Sequence, residues 1–241
     1  MKMDNKEIKE LVKKFMRGRD DGYCHASFDY CFNYFQSFEN KAELAAPENI
    51  QQSCLHLGYF LASWGMFRSR KLAKKTSLTH YSKIIREIAS WDEQLLAIWK
   101  TDADGYSNDQ TRKLLLKCYA AIKNIALPAE QKAELTLTTK IMLGVFGCIP
   151  AFDCNFKKTF GRLYKNKFFE KFDEQALIKL ADFYKNNGHS KTIDELAIQT
   201  NTLDFETGKK TSRHYTRAKI IDMIGFQMEE NKNGKKKKSK E

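Results

Sequence analysis

Apolar side chains recur at helical spacing along most of the chain. Ile8, Leu11, Val12, Phe15 and Met16 trace one face of an opening helix, with Asp4 or Asn5 placed to cap it. Gly18 and Gly22 interrupt that face. From Ser27 to Leu44, Phe28, Tyr30, Phe32, Tyr34, Phe35 and Phe38 cover more than one helical face, the pattern of a helix central to a core. Pro47 suits the first turn of a third helix, which runs through Ile50, Leu57, Phe60 and Trp64 to Gly65.

Two further helical stretches, Tyr81 to Trp99 and Leu114 to Ile125, flank a polar loop from Thr101 to Asn108. After Leu127-Pro128 another helix runs to Phe146, where Gly147-Cys148-Ile149-Pro150 stops it and Asp153 can cap the next. Asp173 to Asn187 is amphipathic and closes on Gly188, which reads as a left-handed stop. Thr192-Ile193-Asp194-Glu195 has capping-box form ahead of Leu196 and Ile198, and a last helix spans Ser212 to Glu230. No segment sustains period-two alternation, and no repeat of fixed period is visible. The pattern predicts an all-α, compact fold of about ten helices. It forms one domain over residues 1–230, with room for two lobes meeting near 100–128.

Composition agrees with helices. Three prolines and twelve glycines in 241 residues are too few for the turns of an all-β chain, and 42% hydrophobic residues supply a sizeable core. Charge adds a partner class. The formal net charge is +12, and residues 231–241 hold six lysines against one glutamate. That segment, with Lys235 to Lys238, reads as a disordered lysine-rich tail, yet the folded body stays basic without it. Fixed lysines and arginines on a folded surface neutralise phosphates and release counterions, so nucleic acid is the expected partner.

The six cysteines form no C-x-x-C pair and follow no secretory signal, so buried, reduced thiols are expected. No apolar run approaches the roughly 20 residues of a membrane span. A cytoplasmic, nucleoid-associated monomer follows as the expectation. The five histidines are scattered and no H-E-x-x-H occurs, so no metal is expected. Neither G-x-G-x-x-G nor a Walker loop occurs, and no cofactor is expected.

The stretch Lys140 to Leu163 carries the most chemistry: an apolar helix ends in a Gly-rich bend, and Pro150-Ala151-Phe152-Asp153-Cys154-Asn155 opens a basic helix. It resembles the end of the helix-hairpin-helix DNA glycosylase core, in which an Asp-Thr-His/Asn-Val-like turn follows an apolar linker. The turn here reads Asp153-Cys154-Asn155-Phe156, with Arg162 following. The family hairpin has no clear counterpart in Ala126-Leu127-Pro128-Ala129-Glu130-Gln131. The resemblance implies double-stranded DNA with a flipped-out base as substrate, and release of that base to leave an abasic site.

Breaking an N-glycosidic bond develops positive charge on the sugar, so a carboxylate near C1′ is required, and Asp153 is the candidate. An aspartate at this place also serves as a helix cap. Lys140, Asn155, Lys157, Lys158, Arg162, Arg68 and Arg70 are candidates for binding phosphates. Tyr30, Asn33, Tyr34, His56, Tyr59 and Trp64 are candidates for a base pocket, although aromatics at helical spacing also build cores. Bifunctional relatives carry a lysine nucleophile at a spacing that falls on Leu135 here, so a monofunctional enzyme without a lyase step is expected. The iron–sulfur cysteine spacing of some relatives is missing as well.

Two other readings compete. Arg19 to His25 resembles the R-x4-6-H motif of HEPN ribonucleases, with Arg19 on the phosphate and His25 as acid or base. A non-catalytic helical nucleic-acid-binding protein needs only the charge. The sequence does not name the base: damaged bases of host DNA and modified bases of phage DNA both fit.

Overall fold

A computed structural model describes residues 3–22, 24–68, 77–126, 134–165 and 167–238. Eleven α-helices occur among them, so the chain is all-α as its periodicity predicts. The first three are α1 (Asn5–Asp20), α2 (Ser27–Ser37) and α3 (Ile50–Ser63). Asp4 caps α1 by accepting from the N–H of Glu7. The stretch predicted as one helix from Tyr81 to Trp99 is divided into α4 (Tyr81–Ala89), α5 (Glu93–Leu96) and a 3-10 turn, because Asp92 caps a new start at the N–H of Leu95. Then follow α6 (Asp109–Ala126), α7 (Glu134–Phe146), α8 (Cys154–Tyr164), α9 (Glu174–Lys185), α10 (His189–Gln199) and α11 (Arg217–Lys238).

One hydrophobic cluster runs from Met3 to Met228 and includes Ile98, Tyr106, Cys118 and Ile122 from the region where two lobes are expected to meet. Phe28, Phe32 and Phe35 of α2 lie in it, as their density predicts. α7 is buried on nearly every face and joins α2, α3 and α6.

Several expectations are corrected. α10 starts at His189, ahead of the capping box, and Thr192 is buried instead of capping. The start is fixed by the His189 ring, which bonds the carbonyls of Phe183 and Met3, while Gly188 takes the predicted left-handed conformation at φ +73°. Ser212 lies in a strand: β1 (Asn201–Leu203) and β2 (Lys210–His214) form an antiparallel hairpin in the region read as helix and loop. These strands are short and polar, so they give no alternating apolar signal. Long-range bonds hold them to α2, from Asn33 Nδ2 to the Leu203 carbonyl at 2.9 Å and from the Leu203 N–H to Asp29 at 3.0 Å.

α11 begins after Thr216 instead, where the Asp102 carboxylate accepts from the N–H groups of Arg217 and Ala218 at 2.8 Å each. It continues past Glu230 to Lys238, so the first lysines of the tail extend a helix. Lysine is a good helix former, and cations suit a helix C-terminus. Cys31, Cys54, Cys118 and Cys148 are buried, but Cys24 and Cys154 are exposed. No helix among the described residues is long and apolar enough to cross a membrane.

Candidate active site

α7 delivers the chain into a buried crossing from Gly147 to Phe152. Gly147 has φ +67°, and a Cβ there would lie 2.8 Å from Phe32 and 2.9 Å from Thr216, so both backbone and space demand glycine. Because the crossing beyond the Gly147 N–H, which still bonds the Leu143 carbonyl, leaves the helical ladder, side chains satisfy its main chain. Thr216 donates to the Gly147 carbonyl at 2.6 Å, Tyr106 to Cys148 at 2.6 Å, and Thr136 to Phe152 at 3.1 Å. The N–H of Phe152 donates to Thr139, and that of Ala151 to Asp222 of α11, each at 3.0 Å. The crossing therefore presents Asp153 at a fixed place.

Asp153 Oδ1 caps α8 by accepting from the N–H of Phe156 at 2.9 Å. Its other oxygen lies 3.4 Å from Nζ of Lys140. Lys140 is buried, which corrects its reading as a phosphate contact: it lies on a helix that is covered on nearly every face. Its ammonium also lies 5.2 Å from the Trp64 ring. A second pair sits beside the first. Lys219 of α11, 1% exposed, donates to Asp222 Oδ2 at 2.8 Å and lies 4.7–5.4 Å from the rings of Phe28, Phe15 and Trp64.

Lys140, Asp153, Lys219, Asp222, Trp64 and Phe226 all line one narrow, largely enclosed cavity of about 10 Å³, room for about one water. The Asp153 side chain keeps 20% of its surface exposed at its edge. The indole N–H of Trp64 is buried without a hydrogen-bond partner among the described residues, leaving a donor for an incoming acceptor. His25 packs edge-on against Phe15 at 4.5 Å and Trp64 at 5.6 Å, and burial together with the Lys219 charge lowers its pKa.

Of the candidate base-pocket residues, Trp64 alone lines this cavity. Tyr30, His56 and Tyr59 line a separate groove with Phe205. Tyr34 bonds Ser53 and the Asn49 carbonyl while stacking on His56, and Asn33 is spent on Thr202 and Leu203 of the hairpin. Lys157, Lys158, Arg162, Lys165 and Lys167 gather around a basic groove of about 420 Å³ along α8. From that helix Lys157 pairs with Glu170 of the following turn at 3.0 Å, and Arg162 and Asn155 reach α11, Arg162 to Glu229 and Asn155 to Glu230 at 3.2 Å. Arg68 ends a 3-10 turn, and its side chain and all of Arg70 lie outside the described residues.

Lys219 and Asp222 escaped the reading of the sequence, yet a signal was present. They are the charged positions in the otherwise apolar run Ala218-Lys219-Ile220-Ile221-Asp222-Met223-Ile224, three apart and so on one helix face. Among the described residues no cluster of His, Cys, Asp and Glu could hold a metal. No family model, curated protein or solved structure gives a significant match to this chain.

Proposed function

We propose that the chain is a DNA N-glycosylase whose reacting groups are Asp153 and Lys140. The 3.4 Å contact between these two side chains at the edge of an aromatic-walled cavity carries the reading. A buried ion pair returns little stability compared with apolar residues of the same size, so two such pairs around one cavity support a use in chemistry. With one oxygen held by the cap, the other Asp153 oxygen is left to act as the base toward Lys140.

The amine changes the expected reaction. Spacing alone assigned the nucleophile's place to Leu135, whereas Lys140 of the same helix supports an amine-assisted excision with a lyase step. In that sequence the Lys140 proton passes to Asp153, and the freed amine attacks C1′ while the bond to the base breaks. The base leaves with the electron pair and takes up a proton. The new amine then loses a proton, the C1′–O4′ bond opens with O4′ protonated, and an iminium remains. A base needs far more room than one water, so Trp64 and Phe226, both half-buried, must swing aside to admit it. The groove of lysines on α8 supplies the phosphate contacts of the duplex.

Arg19 tells against the ribonuclease reading. It is buried, and its guanidinium is occupied by Asp20, Asp29 and the Asn201 carbonyl, so none of it is offered to a phosphate. The test is to incubate the protein with DNA of several origins, host DNA carrying damaged bases and phage DNA carrying modified bases, and to assay abasic and nicked products. Asp153→Asn, which keeps a capping side chain, is expected to lose base release and retain DNA binding. The absence of both abasic and nicked products on every substrate would sink the proposal. A non-catalytic binding protein would show binding alone, indifferent to the substitution.

A further inference from the structure

The fold gathers four aromatic or imidazole side chains around a space that Asp153 does not line. Tyr30 of α2 and His56 and Tyr59 of α3 line an open groove of about 450 Å³, completed by Gln52, Leu55 and Phe205 from the hairpin turn. Phe205 is 70% exposed and Tyr59 56%, an unfavourable placement for rings in water. The turn does not need Phe205 for its own closure: Asp204 accepts from the N–H and hydroxyl of Thr207, and Gly208 supplies φ +64°. Phe205 stands edge-on to Tyr30 at 5.2 Å and 89°.

We propose that this groove binds an unstacked base of single-stranded nucleic acid, its flat face against Tyr59 and Phe205 and its edge toward Gln52 and His56. The His56 ring is held by stacking on Tyr34 at 4.2 Å and 14°. Burial lowers its pKa, so at neutral pH it offers one donor and one acceptor in place of a charge. Gln52 offers an amide of both kinds. Every base has a face to stack, so the groove tolerates any sequence. Charge does not oppose that occupant: Asp204 and Glu206 flank Phe205, and Lys209 and Lys210 offset them. The turn runs from Phe205 into exposed Lys209 and Lys210, and the Asp204 N–H bonded to the Lys209 carbonyl at 2.8 Å keeps them beside it. A second copy of the chain is a poorer fit: a stable dimer buries about 800 Å² per partner, which Leu55, Tyr59 and Phe205 do not supply.

Binding here does not depend on the excision chemistry, so the two proposals fail separately. The experiment is fluorescence anisotropy of the full chain with a labelled oligothymidylate and with a duplex of equal length. Tyr59→Ala and Phe205→Ala are each expected to weaken oligothymidylate binding about tenfold. Tyr59→Phe should bind like the wild type, and duplex binding should be unchanged in all three. These positions are exposed, so the variants keep the fold, which far-UV circular dichroism checks. The proposal is overturned if the wild type does not bind oligothymidylate, if the alanine variants bind it unchanged, or if duplex binding falls equally. It is also overturned if Phe205→Ala dissociates a dimer in sedimentation, which gives the groove to a second copy.

Discussion

Asp222, on the last helix, accepts from the main-chain N–H of Ala151 at 3.0 Å with one oxygen and from the buried ammonium of Lys219 at 2.8 Å with the other. A single carboxylate thus neutralises a buried charge and fixes the turn that leads into Asp153. Asp222→Ala removes both functions and leaves Lys219 uncompensated, so a loss of about 3–5 kcal/mol is expected. The double variant Lys219→Met/Asp222→Asn keeps an acceptor for Ala151 and buries no charge, and it should recover most of that loss. Urea denaturation midpoints of the three proteins check both statements.

Lys140 and Lys219 are both buried amines on one cavity, but only Lys140 contacts Asp153. Borohydride reduction during turnover should therefore trap a covalent DNA adduct with the wild type and with Lys219→Met. Lys140→Arg, which keeps the cation and removes the primary amine, should give no adduct and no strand nicking. An adduct surviving in Lys140→Arg would move the nucleophile elsewhere, and none in the wild type would return the reaction to hydrolysis by water.

The basic groove along α8 is exposed at Lys158 and Lys165. Each phosphate contact contributes about −0.9 to the slope of log affinity against log salt. Lys158→Glu and Lys165→Glu should each weaken duplex binding at low salt and make that slope shallower by about one. Filter binding across a salt series measures it. An unchanged slope in both variants would place the duplex on another face.

The helix–turn–helix around Asp153 was legible because its signals are local: an apolar run, Gly147 at the stop and an aspartate at the cap. What surrounds it was not. Lys140 has the look of a surface cation until α2, α3 and α6 are known to cover α7, and the Lys219–Asp222 pair acquires meaning only when α11 is laid beside Ala151. The aromatic candidates were separated into two places by tertiary packing, Trp64 into the cavity and Tyr30, His56 and Tyr59 into the groove. The hairpin was silent for the same reason, since Asp29, Asn33 and Arg19, far away in sequence, hold its polar strands.

Gly147→Ala tests the stop itself. The substitution places a methyl group in a left-handed conformation and within 3 Å of Phe32 and Thr216. Backbone strain of roughly 1–2 kcal/mol adds to roughly 1–3 kcal/mol of overpacking. The variant should be destabilised accordingly, and should lose excision more than duplex binding, because the crossing it distorts carries Asp153 whereas the basic groove lies beyond it on α8. Thermal melting and the abasic-site assay, run together, separate the two effects.

Asp29 makes stability depend on pH. It is fully buried, and it accepts from Tyr215 at 2.5 Å, from the Leu203 N–H at 3.0 Å and from Arg19 at 3.3 Å. Burial raises its pKa from 3.8 to about 6, against the opposing pull of the Tyr215 hydroxyl, Arg19, the Leu203 N–H and Lys219. Below the unfolded value the carboxyl is protonated in both states, and above the folded value it is ionised in both. Between them the folded chain binds the proton more tightly, so the contribution of Asp29 to stability falls as pH rises from about 4 to about 6. The fall is on the order of 3 kcal/mol. Asp29→Asn cannot titrate, so the stability of the wild type relative to this variant should decline over that window and stay level above pH of about 7. Urea unfolding of both proteins across the range measures the difference. A difference that rises with pH would mean that Arg19 and Tyr215 outweigh the cost of burial and hold the carboxyl below its ordinary value.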